Sequence, residues 1–131
     1  MSAPAPLRKV TLNAARSKEA PEGSARRGYD FVAPLTEDGR IDLEAWKQHR
    51  GECFAHRFWD SEPAMNGLLI HRAGGRGGST WTFEWKGAAT ADEEEAGFRF
   101  ADHAFKVGEY VSIREFDGEL QTYRVVGVGQ P

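Results

Sequence analysis

The stretch HAFKVGEYVSIREFDGELQTYRVVGV, residues 103–128, constrains the fold more than any other part of the chain. It reads as two long β-strands joined by a turn at Asp117-Gly118. The register follows from loop length. A two-residue loop sets Val111 opposite Arg124. A three-residue loop, with Gly118 left-handed in a bulge, sets Val111 opposite Tyr123 and Ser112 opposite Thr122. The second arrangement gathers apolar side chains on one face and is the one expected. Its cost is Glu115 facing Glu119, which an exposed turn tolerates. A chain ending this way is β-rich.

Earlier segments fit that class. RKVTLNA alternates Val10 and Leu12 with polar residues, and YDFVAPL alternates Tyr29, Phe31 and Ala33 with Asp30, Val32 and Pro34. Both read as strands, the second with Pro34 at its end or on an edge. RSKEAPEGSARRG between them reads as a polar loop. After the turn TEDGR, Asp42 stands as an N-cap before LEAWKQHR, with Leu43 and Trp46 on one face and Gly51 closing the helix. ECFAHRFW then alternates with period two, setting Phe54, His56 and Phe58 against Cys53, Ala55, Arg57 and Trp59. DSEPAMN reads as a loop, GLLIHR as a short strand and AGGRGGS as a connection. TWTFEWK is the cleanest strand: Trp81, Phe83 and Trp85 share a face, and a half-buried strand needs such a face. GAATADEEEAG reads as an acidic loop and FRF as a short strand.

Fifteen glycines and six prolines in 131 residues supply the turns of such a fold. Net charge is −3, unevenly placed: residues 1–27 carry +4 and the remainder −7. An acidic body argues against nucleic-acid binding, which rests on neutralising phosphates. The lone Cys53 closes no internal disulfide, no run approaches a membrane span, and the N-terminus lacks a signal-peptide core, so the expected compartment is the cytoplasm.

Four constellations invite chemistry. His49, Cys53 and His56 have the spacing H-x3-C-x2-H, which on one continuous helix presents three zinc ligands, with His71 or His103 as a fourth. Gly51 interrupts that helix, and period two beyond it sends Cys53 and His56 to opposite faces. No metal and no cofactor are expected. In HRAGGRGG, Arg72 and Arg76 flank glycines whose amides suit an anion, yet the Lys-Ser/Thr ending of a phosphate loop is missing. Trp81, Phe83 and Trp85, continued by Phe98 and Phe100, have the spacing of a base-stacking platform, but a barrel requires those rings for its core. Asp92 to Glu95 lack the pattern of a calcium loop, and Asp102-His103 is a local pair. No nucleophile elbow is present, Ser112 lies within a strand, and nothing beside Cys53 lowers a thiol pKa. The candidate ligand contacts are therefore His71, Arg72, Arg76 and His103, with no catalytic residue assigned.

The segments EGSARRGYDFVAPL, EEEAGFRF, GEYVSIRE and YRVV resemble a family of small uncharacterised bacterial proteins, a likeness that spans most of residues 8–128. It brings no established activity, cofactor or site residue, and implies a complete small bacterial protein. The C-terminal hairpin is also similar to strands of small barrels that bind RNA or peptides, a likeness of fold and not of function.

The expected fold is α+β and mainly β: a strongly bent antiparallel sheet or partly open small barrel of six to eight strands, with one short helix near 42–50. Residues 1–6 are expected to be a disordered tail and 7–131 one domain. The expected core contains Phe31, Leu43, Trp46, Phe54, Phe58, Ile70, Trp81, Phe83, Trp85, Phe100, Tyr110, Val111, Ile113, Tyr123 and Val125. The expected function is a non-enzymatic binding module, monomeric, meeting a protein or small ligand through a sheet edge or barrel mouth, with no membrane and no nucleic-acid partner. The alternatives are a small metal- or histidine-dependent enzyme using His56, His71 and His103, and single-stranded RNA binding through the basic arm and HRAGGRGG.

Overall fold

A computed structural model describes residues 5–15, 23–59, 62–72, 80–85, 99–101, 104–114 and 120–131. The strands are β1 (Leu7–Ala14), β2 (Ser24–Pro34), β3 (Phe54–Trp59), β4 (Glu62–Arg72), β5 (Thr80–Trp85), β6 (Arg99–Ala101), β7 (Tyr110–Arg114) and β8 (Leu120–Gly129). Helix α1 (Leu43–Gln48) and a 3-10 turn (Arg50–Glu52) lie between β2 and β3. Each strand pairs antiparallel with its neighbour in sequence, and β1 also pairs with β8, so the sheet closes into a barrel. Closure is uneven. The β1–β2 ladder runs from Leu7↔Pro34 to Ala14↔Ser24, whereas β6 and β7 meet at Arg99↔Arg114 alone among the described residues.

The final hairpin has the register of the three-residue loop, with Val111 opposite Tyr123 and Ser112 opposite Thr122. Residues 115–119 lie outside the described residues, as do residues 1–4 of the expected tail.

An eight-stranded barrel is just wide enough for side chains to fill its interior. Here Val10, Leu12, Tyr29, Phe31, Leu69, Phe83, Tyr123 and Val125 fill it. Tyr29 stacks on Phe83 at 5.2 Å and meets Tyr123 edge-on at 5.1 Å, while Phe31 lies 5.6 Å from Phe83. The outer wall carries Lys9, Asp30, His56, Asn66, Glu84, Ser112 and Arg124. Phe54, Tyr110 and Val126 are exposed beside them. No helix among the described residues is long and apolar enough to cross a membrane.

The aromatic crowd dictates what β3 can place inside. Phe31 pairs with Ala55, Ala55 with Gly67, and Gly67 with Trp85. Between two large rings the inward positions must be small, because interiors pack to crystal density. Cys53 and Ala55 are accordingly buried, and Phe54 is 54% exposed. A Cβ on Gly67 would lie 2.1 Å from the Glu84 carbonyl oxygen. This corrects the expected core: Phe54 is outside, Phe58 and Ile70 are half-buried, and Leu69 takes the inward place. Tyr110 is also outside, 56% exposed, since its neighbour Val111 points in and adjacent strand residues alternate. Leu43 is partly buried against the core, and the side chain of Phe100 lies outside the described residues.

Two segments read as loops belong to strands. β2 begins at Ser24, before Gly28, and β4 begins at Glu62. Gly28, the last residue of the expected polar loop, serves a close approach: a Cβ there would sit 1.8 Å from the Leu12 carbonyl oxygen. The helix begins as expected, with the Asp42 carboxylate accepting the Ala45 amide at 3.1 Å. It ends at Gln48, ahead of Gly51, which falls in the 3-10 turn.

Candidate ligand-binding site

The ends of β2, β4, β6 and β8 and the starts of β1, β3, β5 and β7 share one rim, because neighbours run antiparallel. Helix α1 sits at this rim. The segments after β2 and before β7 wall off part of it. Leu35 bridges Ile41, closing a tight turn over Thr36–Arg40. The Thr36 amide donates to the Arg40 carbonyl at 2.8 Å, and the Gly39 amide to the Thr36 carbonyl at 2.9 Å. The Thr36 side chain accepts the Arg40 amide at 3.2 Å and donates to the Asp38 carboxylate. Gly39 has φ +83°, a left-handed value that favours glycine.

This turn is fastened to its surroundings. The Phe105 amide donates to the Gly39 carbonyl at 2.8 Å, and the Leu35 amide to the Pro6 carbonyl at 3.1 Å. The Glu109 amide closes a second turn on the Lys106 carbonyl at 2.9 Å, and the Gly108 amide ties that turn to the Val125 carbonyl at 2.9 Å. Phe105 is buried edge-on against Phe31 at 5.2 Å.

Between these walls lies a cleft of about 540 Å³. Pro6, Leu35, Phe105, Val107 and Val128 give it an apolar lining, and Arg8, Thr36, Glu37 and Lys106 supply the polar groups. Val107 is 64% exposed. Asp38, beside the cleft, is held below the usual carboxylate range, chiefly by the Thr36 hydroxyl, then by its own backbone amide and the Arg40 and Lys106 charges. Its carboxylate lies 3.6 Å from the Arg40 guanidinium. Arg8 is half-buried and forms no ion pair among the described residues.

Of the expected ligand contacts, His71 lies elsewhere on the same rim. His71 is at the end of β4, 4.9 Å from Trp81 and 6.0 Å from Trp46. Trp46 meets Trp81 edge-on at 5.4 Å, and the Arg50 guanidinium lies 4.9 Å from the Trp46 ring centre. Burial, and secondarily the Lys47 charge, lowers the His71 pKa. Its Nε2 is buried with no hydrogen-bond partner among the described residues. The backbone of Arg72 pairs with Thr80, and Thr80 with Ala101. Arg76, His103 and the side chain of Arg72 lie outside the described residues, as do Asp92 to Glu95.

The zinc spacing is taken apart by the fold. His49 caps α1 and its Nδ1 meets the Glu52 carboxylate at 2.5 Å, Cys53 faces the core, and His56 points outward against Asn66. Burial pushes the Cys53 thiol up to about 11. No three His, Cys, Asp or Glu side chains cluster for a metal among the described residues. Trp81, Phe83 and Trp85 are buried in the core, so they form no open stacking platform.

On the outer wall, exposed Phe54 stands beside Leu68 and above a shallow groove of about 480 Å³ lined by Gly51, Asn66, Gly67, Glu84 and Trp85. The mouth cleft escaped sequence reasoning because its residues come from four separated segments. One signal was legible: Val107 is a large apolar residue directly before the turn glycine Gly108, where polar residues are usual. No protein-family model, no curated protein and no solved structure matches the chain.

Proposed function

We propose that this chain is a non-enzymatic binding module that receives a small ligand at the barrel mouth. The observation that carries the reading is the cleft between Leu35–Gly39 and Phe105–Val107: about 540 Å³, apolar beneath and bordered by charged groups. Small-molecule sites have this size and this mixture of apolar lining with a few convergent polar groups. The barrel interior is occupied by its own aromatic residues, and the sheet closes on itself, so the mouth is favoured over the interior or a free edge. An acid–base enzyme needs its groups within reach of one another. His56 lies on the outer wall and His71 against Trp81, which supports the non-enzymatic reading. In this reading the protein works as a monomer in the cytoplasm, a compartment that suits a chain with one unpaired thiol.

A fragment library of neutral, anionic and cationic members, screened by amide NMR, tests it. Hits are expected to move the amides of Leu35 to Gly39, Phe105 to Val107 and Val128. Hits that gather at Phe54 and Leu68, or around His71, would contradict it.

A further inference from the structure

We infer that the mouth cleft takes an amphipathic carboxylate, with its acid group on Arg8 and its hydrocarbon part along Leu35, Phe105 and Val128. This names the ligand class of the site proposed above and rests on that reading. Arg8 is the residue that would meet the acid group. Its side chain is half-buried, lines the cleft, and forms no ion pair among the described residues. A half-buried guanidinium so placed gains most from a carboxylate, which it grips through two parallel N–H donors.

The other charges favour the same sign. Lys106 also lines the cleft, and its one acidic counterpart in the lining is Glu37, an exposed residue. Asp38 lies outside the lining and is engaged by Thr36 and Arg40. An ammonium group would meet two cations against one solvated carboxylate. The apolar lining asks for hydrocarbon: Val107 is exposed at the lip, while Leu35 and Phe105 form a buried floor. A volume of about 540 Å³ suits a drug-sized ligand, here a chain of about ten carbons. The walls are cross-linked by the Phe105–Gly39 and Leu35–Pro6 hydrogen bonds, so the site needs little rearrangement to receive it.

The test is an amide NMR titration of the full chain with decanoate below its micellar concentration, beside 1-decanol and decylammonium. Decanoate is expected to move Thr36, Gly39, Phe105 and Lys106 and to bind about tenfold more tightly than decanol. Arg8→Gln should abolish that advantage without weakening decanol, and Arg8→Lys should retain part of it. Each variant's unperturbed amide spectrum serves as the check on folding. Equal binding of all three ligands at the mouth would overturn the carboxylate assignment and leave the binding-module reading standing. Failure of all three to move these amides would overturn both.

Discussion

Trp46 of α1 donates its indole N–H to the main-chain carbonyl of Leu69 on β4 at 3.0 Å. This bond fastens the helix to the barrel wall, and the indole also covers Trp81 and His71. Trp46→Phe keeps a ring but leaves the buried Leu69 carbonyl without its donor. Such a loss costs about 1–3 kcal/mol. Trp46→Ala forfeits the ring contacts too, about 3–5 kcal/mol. Urea denaturation of the two variants should rank them in that order.

Phe83 is fully buried and touches Tyr29, Phe31 and Trp85. Phe83→Ala should cost about 3–5 kcal/mol. Phe83→Asp should cost more, since it adds an unpaired buried charge. Thermal melting of the Asp variant near the parent temperature would place the wrong face of β5 inside.

The orientation of β3 has a paired test. Phe54 faces out, so Phe54→Ser should shift stability by no more than about 0.5 kcal/mol. Ala55 faces in between Phe31 and Gly67, so Ala55→Leu should overpack the barrel and cost about 1–3 kcal/mol. The opposite ranking in chemical denaturation would mean the strand is turned over.

Stability should fall at both ends of the pH scale. The folded pKa of His71 lies below its ordinary 6.5, through burial and then Lys47, so the unfolded chain binds the proton more readily. Its contribution is present above that value and is lost as pH falls through it. Cys53 behaves in the opposite sense: its thiol ionises near 9.0 when unfolded and near 11 when folded. Stability is therefore lost as pH rises from 9 to 11. Denaturation midpoints measured against pH should show both limbs, with His71→Gln flattening the acid one and Cys53→Ala the alkaline one.

The alternating segments were legible as sequence. Val10 and Leu12, Tyr29 and Phe31, and Trp81, Phe83 and Trp85 point inward as their period requires, and the last hairpin sets Val111 opposite Tyr123. Thr82, expected on the open face of its strand, is buried as well. The other errors share a cause. Ranking inward faces by hydrophobic size assigns Phe54 to the core, whereas the available volume admits only Cys53 and Ala55. That volume is set by Phe31 and Trp85, which are distant in sequence. The same limit hid the mouth: Arg8 meets Val128 when β1 pairs with β8, Leu35 when β1 pairs with β2, and Lys106 when Phe105 bonds to Gly39. Local spacing shows that His49, Cys53 and His56 diverge, but it gives no sign of where other segments converge.

Intermolecular NOEs between isotope-labelled protein and bound decanoate would locate the ligand on the barrel. Contacts are expected from the decanoate chain to the side chains of Leu35, Phe105 and Val128, with the carboxylate end nearest Arg8. Contacts to Phe54 and Leu68 on the outer wall, with none at the mouth, would contradict that placement.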